Sequence, residues 1–278
     1  MSSRVVLNIG WARAASTAFR QNFLTRHPEI LAVARSQPFS EGPGAIVLRH
    51  LKSANEGEFS RYSAELHSEW DAYERQHRQP VLCLTDEELS IGLHNTGIGP
   101  RAIAARCGKL FPQARTLAVV RDQVDAIRSF YALAEREGRV EGLSLSEWTR
   151  RFFVEPEGRG FSYLFDYMET LRAYLEWQPR EDIIVLPYDR LKASHAAVYV
   201  EVALALGISD QACEGLPNEI VNASALTSSP TPQGLGGHAA TGGRNRERAE
   251  YALGLEAEIR ALFERCNLEL AREFRIVF

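Results

Sequence analysis

Short runs of apolar, often β-branched residues recur along the chain and alternate with longer stretches of mixed polarity. Short apolar runs of this kind are typical of strands that are covered on both faces of a sheet. Apolar residues at helical spacing separate these runs, so strands and helices alternate. This order predicts an α/β fold with a central parallel sheet flanked by helices. The predicted strands are 4–9, 29–33, 80–84, 115–120 and 182–187, and the predicted helices are 16–26, 57–77, 122–137, 161–177 and 194–206.

The C-terminal part of the chain departs from this alternation. Residues 222–243 are rich in Ser, Thr, Pro and Gly and lack periodic apolar residues, which predicts a flexible loop. A loop of this length is either a disordered connector or a lid over a ligand. After it, residues such as Leu253, Ile259 and Leu270 recur at roughly helical spacing and predict one long amphipathic helix or two. We expect a single domain over 1–278, since one sheet can organise a chain of this length.

Composition narrows the class of protein. Hydrophobic residues make up 45% and charged residues 24% of the chain, which is typical of globular proteins. The net charge of −4 offers no bulk attraction to nucleic acid or to an anionic membrane, so individual basic residues must build any anion site. The four cysteines form no CxxC pair and predict neither a zinc site nor a disulfide framework. With no apolar run of membrane-spanning length and no signal-peptide pattern, we expect a cytoplasmic protein.

The segment GWARAAST follows the first predicted strand and leads into a helix. Helix N-termini present unpaired N–H groups, so such a junction can hold a phosphate. Ser16 and Thr17 can cap the helix or bond a phosphate oxygen, and Arg13 can bind the same anion. Ala14 and Ala15 stand where an ATP-binding loop has Gly-Lys, which disfavours an NTPase. A capped turn between a strand and a helix is also common where nothing binds.

A second informative segment is VVRDQVDAIRSFY. Arg121 follows the strand 115–120, at the carboxyl edge where ligands bind in parallel α/β sheets. On the helix that follows, Ser129 lies about two turns from Arg121 and shares a face with Asp125. This spacing favours a shared crevice for Arg121 and Ser129, whereas the alternative is a surface ion pair between Arg121 and Asp125.

Taken together, the two segments resemble sulfotransferases that use 3′-phosphoadenosine 5′-phosphosulfate (PAPS). The first segment is similar to the 5′-phosphosulfate loop of that family, G-x-x-K-x-G-T-T-x-L, and the second to its 3′-phosphate motif, an Arg followed eight positions later by a Ser. Later segments, VLPYDRLKAS and VEVALALGI, are also similar, so the resemblance runs from about residue 4 to residue 270. The matching positions are Gly10, Arg13, Ser16, Thr17 and Phe19 in the loop, with Arg121 and Ser129 in the motif.

The resemblance implies a P-loop NTPase-like sulfotransferase fold and transfer of a sulfuryl group from PAPS to a hydroxyl of a small molecule, lipid or carbohydrate. The remaining product is 3′-phosphoadenosine 5′-phosphate (PAP), and no metal is required. It assigns the 5′ side of the donor to the backbone of Ala14, Ala15, Ser16 and Thr17. It assigns the leaving phosphate to Arg13. Finally, it assigns the 3′-phosphate to Arg121 and Ser129.

Two residues depart from the family pattern. Arg13 stands in place of a lysine, and its planar fork keeps the charge without placing a compact ammonium at the leaving oxygen. Gln123 stands in place of a proline at the start of a helix, which removes some rigidity and no chemistry.

A hydroxyl acceptor needs a general base, and the acidic segment TDEELSIGLH follows the strand 80–84. The resemblance makes Glu87 the first choice for this base. Asp86, Glu88 and His94 stay open as alternatives, and Glu87 can instead cap the following helix.

Other residues are assigned more loosely. Arg244, with Arg246, can bind the 3′-phosphate or the acceptor, or can lie at a solvated helix start. Large aromatics can line an acceptor pocket, although most such residues pack in cores. The aromatic candidates are Phe39, Trp70, Tyr131, Trp148 and Phe152.

Two further functions stay open on sequence grounds. A small-molecule kinase would share the phosphate site but should show Gly-Lys and a magnesium-binding aspartate. A catalytically silent nucleotide-binding protein would fit the substitution at Arg13. The sequence specifies neither the acceptor nor the oligomeric state, because loops that select substrates follow no transferable code.

Overall fold

Five parallel strands form a single sheet at the centre of the protein. A computed structural model describes residues 4–11, 13–34, 43–53, 55–76, 79–92, 98–155, 159–217 and 251–278. All five predicted strands are present within one residue of their predicted bounds, which confirms the parallel α/β prediction. The strands are β1 (Arg4–Asn8), β2 (Ile30–Ala34), β3 (Val81–Thr85), β4 (Arg115–Val120) and β5 (Ile183–Pro187).

Helices connect these strands. Helix α1 continues directly into a π-helical turn (Arg20–Leu24), and α7 into another (Arg150–Val154). Short 3₁₀ segments lie at Arg159–Leu164, Arg180–Asp182 and Gln211–Cys213. The helices are α1 (Ser16–Phe19), α2 (Pro43–Ser53), α3 (Glu56–Gln76), α4 (Glu88–Ile91), α5 (Pro100–Leu110), α6 (Gln123–Arg136), α7 (Leu145–Thr149), α8 (Tyr167–Leu175), α9 (Tyr188–Ala193), α10 (His195–Leu206), α11 (Leu255–Leu262) and α12 (Glu264–Phe274).

The strand order β2-β3-β1-β4-β5 places β1 in the middle of the sheet. The chain leaves β1 towards one edge, through β2 and β3, and then crosses to the other edge through β4 and β5. Such a reversal is the point at which open α/β sheets bind ligands, beyond the carboxyl ends of the strands. The loop after β1 therefore lies between the ends of β3 and β4.

The sheet forms the centre of the hydrophobic core. All of β3 is buried, as are the last five residues of β4. All four cysteines of the chain, Cys83, Cys107, Cys213 and Cys266, are buried and unpaired. Within the described residues, no helix combines the length and apolar character needed to cross a membrane.

One predicted helix begins later than expected, and the C-terminal prediction of one helix or two is resolved as two. The predicted helix over 161–177 begins at Tyr167, because the Asp166 carboxylate accepts a hydrogen bond from the Glu169 N–H and so caps α8. The C-terminal stretch forms two helices, and Leu253 precedes them fully exposed, with Gly254 in the left-handed region at φ 84°. The predicted loop 222–243 lies outside the described residues, and the single domain stays a prediction.

Candidate active site

The loop from Gly10 to Thr17 connects β1 to α1 and is tightly folded. A Cβ atom added to Gly10 would lie 2.4 Å from the Ser16 Cβ, so the close approach of these two residues requires glycine. Arg13 and Ala15 have positive φ angles of 65° and 61°. Non-glycine residues in this region cost about 1–3 kcal/mol each and are concentrated at functional sites. The loop thus holds a conformation that the surrounding structure imposes.

Ser16 does not cap α1 as its position predicts. The N-cap residue is Ala15, which makes no side-chain cap. The Ser16 hydroxyl instead lies 3.3 Å from the Trp11 carbonyl oxygen and 3.0 Å from Glu87 Oε1. The Ala14 N–H donates to the Trp11 carbonyl at 3.3 Å, so it is used within the loop. Because the first N–H groups of a helix have no intrahelical acceptor, the N–H groups of residues 15–17 remain the backbone donors of this junction.

The other end of the loop meets the start of α6. Arg13 Nε donates to Ser129 Oγ at 2.9 Å, and Arg121 Nη1 donates to the Arg13 carbonyl at 3.2 Å. The Arg121 guanidinium also stacks on the Tyr188 ring, 4.5 Å from its centroid. The structure thus brings Arg121 and Ser129, which sequence spacing placed in one crevice, together with Arg13 of the loop.

Positive charge at this end has few carboxylate partners. Arg121 lies 4.0 Å from Asp125, whereas Asp125 makes a 2.8 Å hydrogen bond with Arg128. Within the described part of the chain, Arg121 Nε is buried without a hydrogen-bond partner. Burial lowers the pKa of Arg13, and the positive charges of Arg136 and Arg121 lower it further. Such a cluster favours the approach of an anion.

Glu87 lies at the opposite end of the loop, beyond β3. Its carboxylate accepts the hydrogen bond from Ser16, and its side chain makes no cap to α4. Although the residue is exposed at the crevice, protein atoms surround its carboxyl group, and this burial raises the pKa of Glu87. The charge of Asp86 acts in the same direction, while the Ser16 hydroxyl, Arg20 and Arg13 oppose it. A carboxylate with a raised pKa is well suited to accept a proton near neutral pH.

The alternatives to Glu87 differ in their surroundings. Lys52 Nζ lies 2.6 Å from Asp86 Oδ2 and 2.8 Å from Glu88 Oε2. Asp86 Oδ1 also accepts from the Glu88 N–H at 2.9 Å, at the start of α4. Asp86 and Glu88 are thus tied to a cation, whereas Glu87 is not in this ion pair. His94 lies outside the described residues.

Sequence reasoning missed Lys52, whose side chain is only 7% exposed. It comes from the last turn of α2, a helix that the sequence analysis did not predict. Its partners are 34 and 36 positions away along the chain, and no local motif signals such a pair.

The aromatic candidates that the structure describes pack mainly in the core. Trp70 packs edge-on against Phe111, and Tyr131 and Phe152 pack against Trp148. Tyr131 and Trp148 are buried. Phe39, Arg244 and Arg246 lie outside the described residues, so their assignments stay predictions.

Gln123, the second departure from the family pattern, has a structural role. Its amide donates to Asn267 Oδ1 at 2.8 Å and is buried. The bond ties the start of α6 to α12. In the described ranges, no group of three His, Cys, Asp or Glu side chains is arranged to hold a metal ion.

Comparison with known proteins shows what the architecture is similar to. No family model matches the chain, and no curated protein sequence matches it. Among solved structures, a sulfotransferase from Alicyclobacillus acidocaldarius matches with a TM-score of 0.62 and 16% identity, covering 100% of this chain and 98% of the other. The chain has the sulfotransferase fold. At this level of identity the likeness concerns the fold alone, so activity must be argued from the site.

Proposed function

We propose that this protein is a PAPS-dependent sulfotransferase that transfers a sulfuryl group to a hydroxyl acceptor of a small molecule, lipid or carbohydrate. The observation that carries the proposal is that the two ends of the Gly10–Thr17 loop have different surroundings, one basic and one acidic. Arg13, Arg121 and Ser129 meet at one end, and Ser16 meets Glu87 at the other. The 3′-phosphate of a nucleotide fits the first end, and a hydroxyl that must lose its proton fits the second.

The residues of the loop fit the donor in charge and in donor groups. PAPS supplies an activated sulfuryl group on its 5′-phosphate. We assign the 5′ side to the N–H groups of residues 15–17, a helix start with positive dipole. We assign the 3′-phosphate to Arg121 and Ser129, since Arg121 keeps a buried Nε–H without a protein partner among the described residues. A 3′-phosphate is the feature that separates this donor from ATP.

Arg13 links the two phosphate sites. Its backbone belongs to the 5′ loop while its guanidinium contacts Ser129 of the 3′ site. Stabilising negative charge in a fixed array of donors is the largest contribution that a protein makes to group transfer of this kind. Arg13 would therefore stabilise charge on the leaving phosphate only if its side chain turns from Ser129 towards the 5′ side.

Glu87 is the residue we assign as general base. Its ionised carboxylate would take the proton of the acceptor hydroxyl as that oxygen attacks sulfur. The raised pKa strengthens its basicity, and the Ser16 hydroxyl holds Oε1 in place. Positioned bases of this type contribute about 10²- to 10⁴-fold in rate.

Thermal unfolding with PAP or ATP tests the donor assignment. At a concentration of about 100 times its dissociation constant, a ligand stabilises the folded state by about 2.7 kcal/mol. We expect PAP to raise Tm clearly and ATP, with or without magnesium, to raise it weakly. Equal stabilisation by ATP would contradict the donor assignment and favour the kinase-like alternative.

A transfer assay then separates an enzyme from a silent binding protein. Sulfate-labelled PAPS is incubated with a panel of hydroxylated acceptors, and labelled product is measured. Transfer to at least one acceptor is the expected result. Stabilisation by PAP without transfer to any acceptor, or hydrolysis alone, would favour the silent protein.

A further inference from the structure

The turn that carries Glu87 is held by a buried cation from a different part of the chain. Lys52 and Asp86 are each 7% exposed in their side chains, and Glu88 is 26% exposed. A buried lysine that serves two carboxylates is costly to desolvate and is retained only with good geometry. The two carboxylates are the immediate neighbours of Glu87.

The lysine is itself anchored. Arg106 of α5, only 2% exposed in its side chain, donates from Nη1 to the Leu51 carbonyl at 2.9 Å and lies 3.1 Å from Glu56 through Nε. These contacts fix the end of α2 beside the end of β3. A rigid element therefore supports Lys52 where it meets Asp86 and Glu88.

We propose that Lys52 is a positioning residue for the acceptor end of the site: it holds the Asp86–Glu88 turn and offsets the charge of the two carboxylates that flank Glu87. The expected effect of Lys52 on catalysis rests on the proposed function. Its electrostatic effect on Glu87 does not. Lys52 acts through its neighbours and does not touch the reacting atoms.

The charges around Glu87 make this role testable. Arg13 of the loop and Arg20 of the π-helical turn act on it electrostatically, together with the Ser16 hydroxyl, and Asp86 adjoins it on its own turn. On the far side of that turn, Lys52, Asp86 and Glu88 carry a combined charge of −1. Because Asp86 raises the pKa of Glu87, a change in this combined charge should move that pKa.

Three variants change the combined charge in known steps. Lys52→Met makes it −2, Asp86→Asn makes it 0, and the double variant Lys52→Met/Asp86→Asn returns it to −1. Asparagine at position 86 keeps an oxygen that can accept the Glu88 N–H. Lys52→Arg keeps the charge of the wild type, and Lys109→Met, which removes an exposed ion pair with Glu56, is the control.

The measurement is the titration of the Glu87 carboxyl carbon by NMR, assigned by its loss in Glu87→Gln, at low salt and without donor or acceptor. We expect Lys52→Met to raise the pKa of Glu87 by about one unit and Asp86→Asn to lower it. The double variant and Lys52→Arg should lie near the wild type, and Lys109→Met should change nothing. A merely structural role for Lys52 would not give a shift that a second charge removal reverses.

Two results would overturn the inference: an unchanged Glu87 titration in Lys52→Met, or a double variant that titrates like Asp86→Asn alone. If Lys52→Met does not fold, the comparison of Asp86→Asn with the double variant carries the test, since neither leaves Asp86 as an unpaired charge. The titration needs no sulfuryl transfer. A failed transfer assay would therefore contradict the proposed function without deciding the role of Lys52.

Where transfer is observed, the pH dependence of kcat provides a second readout. The acid limb of the profile should move with the Glu87 titration, about one unit upwards in Lys52→Met, which is about a tenfold loss of rate on that limb. PAP affinity should stay at the wild-type value in every variant of this series.

Discussion

The two ends of the Gly10–Thr17 loop differ in how their charged side chains are paired. At the basic end, Arg13 and Arg121 contact a hydroxyl and a carbonyl, and the nearest carboxylate, Asp125, is engaged by Arg128. At the acidic end, Lys52 neutralises part of the charge of Asp86 and Glu88 and leaves Glu87 with a hydroxyl partner. The charge of the basic end thus has few carboxylate partners, whereas at the acidic end Lys52 pairs with two carboxylates and Glu87 stays outside this ion pair.

The largest expected effect concerns the acidic end. Glu87→Gln keeps an oxygen for the Ser16 hydroxyl and removes the base, so we expect a loss of about 10²- to 10⁴-fold in kcat with PAP affinity unchanged. Steady-state kinetics with PAP binding on the same preparation measures both. If PAP affinity fell as much as kcat, Glu87 would also contribute to donor binding, and the two ends of the loop would not have separate roles.

The same variant has a stability consequence with a defined sign. Because the folded-state pKa of Glu87 is raised from its usual 4.5, folding favours the protonated carboxyl, and wild-type stability falls as the pH rises from that value through the raised one. Glutamine does not ionise. The Tm of Glu87→Gln should therefore equal or exceed that of the wild type at pH 8, and this advantage should vanish below pH 4.5.

The next largest effect concerns the basic end. Arg121→Gln removes one charged partner of the proposed 3′-phosphate, so PAP affinity should fall by roughly 10- to 100-fold, as charged hydrogen bonds contribute about 1.5–3 kcal/mol. Calorimetric titration with PAP measures this loss. Arg128→Gln is the matched control, since Arg128 lies on α6 but pairs with Asp125 and Glu256. Equal losses in both variants would point to net charge and not to a defined site.

A third change acts on the loop that joins the two ends. Gly10→Ala places a methyl group 2.4 Å from the Ser16 Cβ, and overpacking of this kind costs about 1–3 kcal/mol of folding stability. Chemical denaturation measures the loss. We expect PAP affinity and the pKa of Glu87 to change together, because Ser16 lies in the proposed 5′ site and also bonds Glu87. A change in only one of the two would show that the two ends of the loop respond independently.

The smallest expected effect comes from Ser129→Ala. Its hydroxyl accepts from Arg13, and a hydrogen bond of this kind contributes about 0.5–1.5 kcal/mol. PAP affinity should fall by about 2- to 10-fold, with kcat at saturating donor nearly unchanged. An increase in PAP affinity would indicate that Ser129 holds Arg13 away from the ligand.

The fold was largely predictable because strand patterns are local. Runs such as residues 117–120 are apolar throughout, and every strand lies within one residue of its prediction. Helices α2 and α5 were missed. Asp166, three residues before Glu169, is a capping pattern that would have placed the start of α8 correctly.

The site was predictable where spacing carries the information and not elsewhere. Arg121 lies between β4 and α6, and Ser129 lies on α6 eight positions later, so their separation follows from local chain geometry. The bonds from Arg13 to Ser129 and from Ser16 to Glu87 join residues 116 and 71 positions apart. The resemblance assigned these residues to one site but predicted neither bond. Neither local spacing nor the resemblance pointed to Lys52. It lies between β2 and β3, whereas its partners Asp86 and Glu88 follow β3.

The burial of every cysteine has a practical consequence. Burial raises the pKa of the thiols of Cys83, Cys107 and Cys266 to about 12, so the native protein should react slowly with maleimides. A Ser129→Cys or Thr17→Cys variant would then carry a fluorophore at one position, and all four native cysteines could be left in place. Fluorescence from such a label would report ligand binding in real time. The rate at which the native thiols react would measure how often the core opens spontaneously.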